Sequence, residues 1–504
     1  MWPRPGRGRR QWIGLAVLAL PTLLLSLDVS VLYLALPELS ADLGANGVEQ
    51  LWILDIYSFL LAGCLVTMGT LGDRIGRRRL LLIGGAAFGI LSVLAAYSSS
   101  PELLILSRAL LGIAGASLMP STMALIRNMF HDPVQLGQAI GIWFSCFIGG
   151  MLVGPVIGGV LLEQFWWGSV FLLGVPVMVL LLILGPILLP EYSDESAGRI
   201  DLLSVLLSLA AILPAIWGLK ELARSGWATL PALAIVAGVA IGITFARRQH
   251  RLADPLLDMR LFRFPRFSAA LGVMLAAGVV MAGISFQAAV YLQVVGGLSP
   301  LQAGLWLIPQ NVTMVIGLNL APRIAKRRST AQTMALGLVL AAAGLLITMG
   351  ADGSGRVGAL VAGLALASFG IGLPMALTMN LVLASAPPER AGSAASMSET
   401  SSEAGIALGI ASLGSLGTVV YRGQLDSNLP AGLPDGWVAQ ARQGVGPAIA
   451  AAQQLPGQLG SEMELVAKAA FASGLRVVAI AGAVLLLGSA LLTLTVLRRH
   501  TDVT

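Results

Sequence analysis

Residues 69–81 read "GTLGDRIGRRRLL" and lie between two apolar runs, 50–71 and 80–98. Each run has about the 20 residues that a helix needs to cross a hydrocarbon core of roughly 30 Å. Gly69, Gly72 and Gly76 permit a tight turn at a helix end. Asp73 is placed to face a helix N-terminus, and Arg74, Arg77, Arg78 and Arg79 can bind carbonyl oxygens or lipid phosphates. Two apolar helices joined by a short basic loop make a membrane hairpin whose loop is expected on the cytoplasmic side.

The same pattern extends in both directions. Of the 504 residues, 56% are hydrophobic and 11% charged, and the mean hydropathy is +0.85, which excludes an ordinary soluble globular protein. About fourteen apolar spans occur between Gln11 and Leu497, the seventh and eighth at 201–219 and 229–246. The fold class is therefore an all-α polytopic membrane protein. Its 60 glycines and 25 prolines suit closely packed, jointed membrane helices. The N-terminal "RPGRGRRQW", residues 4–12, imitates a signal peptide, but the apolar run continues to Pro37, so it reads as an uncleaved first helix.

Several chemistries drop out. Cys64 and Cys146 fall in apolar segments, and His131, His250 and His500 in connections or the tail. No disulfide framework, metal site or imidazole chemistry is indicated. The isoelectric point of about 9.7 could suggest nucleic acid, but the basic residues are spread among short loops, so no nucleic-acid partner is expected. They set orientation instead: even-numbered connections are rich in arginine, whereas odd ones hold only Lys220, Arg224, Arg356, Arg422, Arg442, Lys468 and Arg476. Both termini are expected to be cytoplasmic.

Weak internal echoes, "SVLYLALP" with "AVYLQVVGG" and the basic loop at 69–81 with "APRIAKRRS", suit two similar halves. The expected division is an N-terminal six-helix bundle at 1–195, two inserted helices at 196–250, a basic cytoplasmic linker at 251–266 and a C-terminal six-helix bundle at 267–504. A long extracellular loop is expected at 421–469; its "VAQARQGVGPAIAAAQQL" allows either a solvated loop or a short surface hairpin.

The stretch at 69–81 matches G-x-L-x-D-R-x-G-R-[RK]-[RK], the signature of the major facilitator superfamily. "RALLGIAGA" from Arg108 and "GGMLVGPVIGG" from Gly149 follow in the family's order, the second resembling the motif of drug/proton antiporters. "LDVSVLYLALP", "QLWILDIYS", "WWGSVFLLGVPV" and "LSPLQAGLWLIP" resemble the fourteen-helix drug/proton antiporter family, so the likeness covers nearly the whole chain. It implies a major facilitator fold of two six-helix bundles plus two inserted helices. It also implies proton-coupled efflux of lipophilic cationic drugs, dyes and quaternary ammonium compounds by alternating access. The protein would be a monomer in a bacterial inner membrane, driven by the proton gradient without a cofactor and contacting lipids. Export or uptake of an endogenous metabolite or lipid is the alternative. A membrane-embedded enzyme or a non-transporting sensor ranks lower, since no convincing catalytic set is present.

The charged residues inside the spans are the candidate coupling groups. Asp28 lies about 24 Å along its helix from Trp12, too deep to reach an interface. Burial penalises an ionised carboxyl and a nearby lipophilic cation favours it, so proton and cation can compete for one group. In "SAASMSETSSEAGIALG", Glu399 and Glu403 stand one turn apart on one helix face. In the exporters this chain resembles, an acid at the position of Glu399 serves cation binding or coupling, and the position of Glu403 is also acidic. Arg108 reads as the only basic residue within a central span, with Asp28 as first candidate partner and Asp55 as second.

Further candidates serve gating and substrate. Gly69, Gly72, Asp73, Arg74, Gly76, Arg77 and Arg78 form the gating motif; Gly150, Gly154, Pro155, Gly158 and Gly159 form a small-residue stripe for a helix that packs and slides. Trp52, Tyr57 and Trp143, with Phe144, Phe286 and Trp306, offer π faces to a planar cation. Asp55, Gln310 and Asn311 complete the expected cavity. Some related exporters carry an additional acid near "IPQNVTMVIG", where this chain has Gln310, Asn311 and Thr313, so handling of divalent cations is not implied.

Overall fold

The computed structural model describes residues 7–130, 132–191, 201–225, 228–252, 255, 259–384, 391–430, 433–455 and 458–498; they are helical almost throughout, with no strand among them. The first half contains α1 (Arg7–Leu43), α2 (Gly47–Ile75), α3 (Arg77–Ala96), α4 (Pro101–Met129), α5 (Pro133–Gln164) and α6 (Gly174–Leu188). The hairpin of α7 (Leu202–Ser225) and α8 (Thr229–Arg251) follows. The second half contains α9 (Pro265–Val290), α10 (Pro300–Arg327), α11 (Thr330–Thr348), α12 (Gly358–Ala384), α13 (Ala391–Gly409) and, beyond a π-helical turn at Ile410–Gly414, α14 (Ser415–Asn428). Two short helices, α15 (Asp435–Ala441) and α16 (Val445–Gln454), precede the final α17 (Gln458–Arg498). Among the described residues, 13 helices are long and apolar enough to cross a membrane, or 14 when α5, bent by 42°, is one span. The protein is multi-pass.

Local sequence sets the helix starts. Asn46 accepts from the backbone N–H groups of Val48 and Glu49 while Glu49 accepts from the Asn46 N–H, a capping box that fixes the start of α2. Ser299 with Gln302 and Ser329 with Gln332 do the same for α10 and α11. Pro101 and Pro133 occupy first-turn positions in α4 and α5, where the missing N–H costs nothing. Gly76 separates α2 from α3 at φ +106°, a conformation that side-chain-bearing residues rarely adopt.

The two halves meet along two seams, α5 against α10 and α2 against α13. The first helix of the inserted hairpin packs beside the second seam, on elements of both halves. Only 11% of the α8 span is buried, whereas α7 packs on α2 and α14. At its basic end the hairpin is tied by Arg248, which donates to Asp201 at 3.1 Å, with Ser204 also bonded to Asp201. Burial raises the Asp201 carboxyl, but the hydrogen bonds from Ser204 and Arg248 outweigh it and hold the group below its ordinary range.

The described part of residues 421–469 is largely helical and takes the short-hairpin alternative rather than the solvated loop. α14 continues through Asn428 and α17 begins at Gln458, leaving a compact hairpin of α15 and α16 between them. Val445, Ala448, Ala451 and Ala452 bury one face of α16, and small residues at that spacing let the helix lie flat on its neighbours. Tyr421 donates to Ala441 O at 3.0 Å, and Gln443 O accepts from the Gly47 N–H at 3.1 Å, joining the hairpin to the start of α2.

Candidate functional site

The charged centre of the first half is built on α1, α2 and α4. Arg108 of α4 is 1% exposed; its Nη1 lies 2.5 Å from Asp28 Oδ2 of α1, and its Nε donates to Ile53 O of α2 at 3.2 Å. Its guanidinium carbon stands 4.5 Å from the Tyr57 ring centroid and 5.9 Å from that of Phe171. One planar, permanently charged group thus joins three helices through an ion pair, a carbonyl and π faces. Asp28 also borders a narrow apolar crevice with Leu24, Leu32, Phe88 and Phe171. Tyr57, expected to face a cavity, is buried with its ring against Arg108.

Asp55 is not the partner of Arg108. Both its oxygens lie near Lys220 Nζ of α7, at 2.9 and 2.7 Å, and both side chains are fully buried. The ammonium also stands 3.9 Å from the Trp52 ring centroid. This corrects two expectations: Lys220 belongs to a spanning helix rather than an outer connection, and Arg108 is not the only basic residue inside the spans. Helix α7 is longer than its apolar run suggests, reaching Ser225.

Tyr33 of α1 lies in the electrostatic reach of Glu403, Arg108 and Asp55, and Tyr57 in that of Asp28, Arg108 and Glu403. Glu403 is half-buried on α13 and so brings a carboxylate of the second half toward the charged centre of the first. The side chains of Glu399, Asp73 and Phe144 lie outside the described residues. Trp143 is buried on α5, Phe286 is buried on α9, and Trp306 is 44% exposed on α10.

The small-residue stripe of α5 serves both seams of that helix. Gly150, Gly154 and Gly158 lie against Leu23, Ser30 and Val31 of α1, so close that a methyl group on any of them would collide. On the other side Gly159 meets Leu301, and Gly304 meets the Pro155 carbonyl, both on α10. Pro155 has no N–H to donate to Met151 O four residues earlier. That carbonyl instead accepts from Asn311 Nδ2 of α10 at 3.2 Å. Gln310 beside it is buried and donates to Ser285 Oγ at 3.3 Å.

At the opposite face of the first half, the gating motif meets Glu191, which sequence reasoning passed over. Its carboxylate accepts from the Arg78 N–H at the start of α3 at 3.1 Å and lies 3.4 Å from Arg78 Nε. Arg78 Nη1 donates to Leu189 O at 3.0 Å beyond the end of α6. A Cβ on Gly76 would stand 2.6 Å from Glu191 Oε1 and displace that carboxylate, while the glycine itself is required by φ. Gly72 packs on Arg77, while Arg74 is exposed. Among the described residues, no three His, Cys, Asp or Glu side chains converge as metal ligands.

Residues 18–410 match the family model of the Major Facilitator Superfamily. The chain is 42% identical over 97% of its length to the multidrug efflux pump LfrA of Mycolicibacterium smegmatis, and covers 97% of it. It is 34% identical to the methyl viologen resistance protein SmvA of Salmonella typhimurium, over 92% of this chain and 93% of that one. It is 30% identical to the tetracenomycin C resistance and export protein of Streptomyces glaucescens, over 98% and 93%. In fold it resembles a bacterial homologue of the human lysosomal transporter Spinster, solved in an inward-facing, unoccupied conformation, with a TM-score of 0.70 at 16% identity over 99% of each chain.

Proposed function

The chain belongs to the major facilitator superfamily and its drug-exporter family, and from that premise we propose that it exports lipophilic organic cations in exchange for protons by alternating access. The observation that carries this reading is the buried Asp28–Arg108 pair. Protonating Asp28 removes the counter-charge of a guanidinium that cannot itself be neutralised, so a proton becomes a change in the forces between α1, α2 and α4. A cation near Asp28 favours the ionised carboxylate, and the two ligands oppose one another. Glu403 on α13, with Glu399 one turn earlier, supplies the matching acidic group of the second half. The seams α5/α10 and α2/α13 are the surfaces that would move, and the contact of Asn311 with Met151 O across the first would break.

The relatives support the substrate class: one is a multidrug efflux pump and another confers resistance to methyl viologen, an organic dication. On this reading the protein works as a monomer in a bacterial inner membrane, among lipids, with both termini cytoplasmic. A second reading, export of an endogenous metabolite, is favoured by the tetracenomycin C exporter among the relatives.

Ethidium efflux from proteoliposomes under an imposed pH gradient tests the proposal. Asp28→Asn should reduce proton-driven ethidium export by more than about tenfold, the scale of 1.4 kcal/mol or more in coupling. Unchanged export and proton counterflow in that variant would remove Asp28 from the mechanism, and wild type moving no lipophilic cation would leave the metabolite reading.

A further inference from the structure

Asp55 and Trp52 already look like half of an ammonium site. A carboxylate beside an indole face is the chemistry that recognises a lipophilic cation in a dry setting. Here the cation is supplied by the chain itself: Lys220 Nζ sits 2.9 and 2.7 Å from the two Asp55 oxygens and 3.9 Å from the Trp52 ring centroid. Neither charged side chain has any solvent exposure.

The lysine comes from the inserted hairpin, and its helix is set into the junction of both halves. Ile216, one turn before Lys220, packs with Ile56, Phe59 and Leu60 of α2 and with Ala407 and Ala411 on the α13 side. Leu209 and Leu213 continue the same face. Lys220 is therefore held in place by a packed helix rather than by a loose tether. Ile53 O, which receives Arg108, is only two residues from Asp55, so the two buried ion pairs share one stretch of α2.

We propose, building on the cation-export reading, that Lys220 is a specificity-determining residue: a resident cation that neutralises Asp55 and limits the transport site to substrates of single positive charge. A buried carboxylate can balance one positive charge, whether lysine, substrate or proton. While Lys220 fills that role, Asp55 adds nothing to the site's capacity for cations. Removing the lysine charge frees one acidic group beside an aromatic face, which can take the second charge of a dication or one more proton. Among the described residues, the ionisable groups recorded near the pair are Tyr33 on α1, within electrostatic reach of Asp55, and Arg108 on α4, which donates to Ile53 O two residues before Asp55. Arg108 is engaged by Asp28.

The test compares wild type, Lys220→Met and the double variant Asp55→Asn/Lys220→Met in proteoliposomes, with ethidium as monocation and methyl viologen as dication. Lys220→Met should raise the ratio of methyl viologen to ethidium export by about tenfold. The double variant should restore the wild-type ratio of methyl viologen to ethidium export, because a neutral pair of similar volume replaces a neutral ion pair. An unchanged ratio in folded Lys220→Met, or a folded double variant that keeps the Lys220→Met ratio, overturns the proposal. Infrared difference spectra without substrate give an independent readout. Lys220→Met should gain one titrating carboxyl band that disappears in the double variant, and its absence also overturns the proposal. Wild type moving neither probe would instead sink the cation-export reading, whatever the infrared result.

Discussion

The two buried ion pairs meet one stretch of α2, Asp55–Lys220 through Asp55 itself and Asp28–Arg108 through the Ile53 carbonyl, yet differ in how they are closed. Arg108 has a carboxylate, a carbonyl and an aromatic face, and its partner Asp28 keeps 9% exposure beside a crevice. Lys220 has one carboxylate and one aromatic face, with both partners sealed. The guanidinium fork can lose one acceptor and keep another; among the described residues the ammonium is recorded donating only to Asp55. An ion pair intended to open needs somewhere for each charge to go, and only the Asp28 pair provides it. Burial alone does not identify a working carboxylate.

That contrast predicts opposite rankings for stability and transport. Asp55→Asn leaves the Lys220 charge buried with only Trp52 beside it and should cost about 3–5 kcal/mol, the range for breaking a buried pair. Asp28→Asn should cost less, about 1–3 kcal/mol, because Arg108 retains the Ile53 carbonyl and the Tyr57 ring. Thermal melting in detergent measures both. Transport should rank the other way once the Lys220 charge is also removed, with Asp55→Asn/Lys220→Met active and Asp28→Asn inactive. If Asp28→Asn proves the more destabilising of the two, the extra acceptors around Arg108 do not do what this contrast requires.

How much of this could be read from sequence follows the same division. Asp28 and Arg108 stand far inside apolar runs, where a charge is conspicuous. Lys220 stands five residues from the end of α7, beside Glu221 and close to Arg224, and so reads as interfacial. The signal was present in the periodicity: Leu209, Leu213, Ile216 and Lys220 follow the three-to-four-residue spacing of one helix face. Asp55 within α2 also needed a cation that Arg108 could not supply to two aspartates. The fold was legible because each span meets the same hydrocarbon thickness. The α15–α16 hairpin was legible only as one of two alternatives, because its buried face is made of alanines and a valine, whose pattern is faint. Glu191 was missed because capping of α3 depends on the end of α6, more than 100 residues away in sequence.

The seam between α5 and α10 sharpens the contrast further. If the Asp28 pair is the one that opens as the halves move, contacts broken in the same movement should alter transport without touching the Lys220 pair. Asn311→Leu leaves Met151 O without its donor, because Pro155 cannot replace it, and should cost about 1–3 kcal/mol in the state where this seam is closed. The population should shift toward the alternate state, read as altered labelling of single cysteines placed on the two faces. Adding Pro155→Ala restores an N–H in position for Met151 O and should reverse most of that shift. Persistence of the full shift in the double variant would show that the Asn311 bond acts by some route other than the carbonyl freed by proline.

The smallest expected effect lies farthest from both pairs. Glu191 places a negative charge at the N-terminus of α3, accepting from the Arg78 N–H while lying beside the Arg78 guanidinium. The positive end of a helix dipole favours such a carboxylate by about 0.3–1 kcal/mol, and an exposed ion pair contributes a similar amount. Glu191→Gln keeps the shape and one acceptor oxygen but removes the charge, so the fold should be unaffected while the bias toward this arrangement of α2, α3 and α6 weakens by about that amount. Raising the ionic strength should shrink the difference between wild type and variant in the same cysteine-labelling assay, because both interactions are screened. The Asp55 carboxyl that Lys220→Met leaves behind is fully buried, so salt should leave the behaviour of that variant unchanged. A Glu191→Gln effect that is equally insensitive to salt would place its origin in packing against Gly76 instead of in charge.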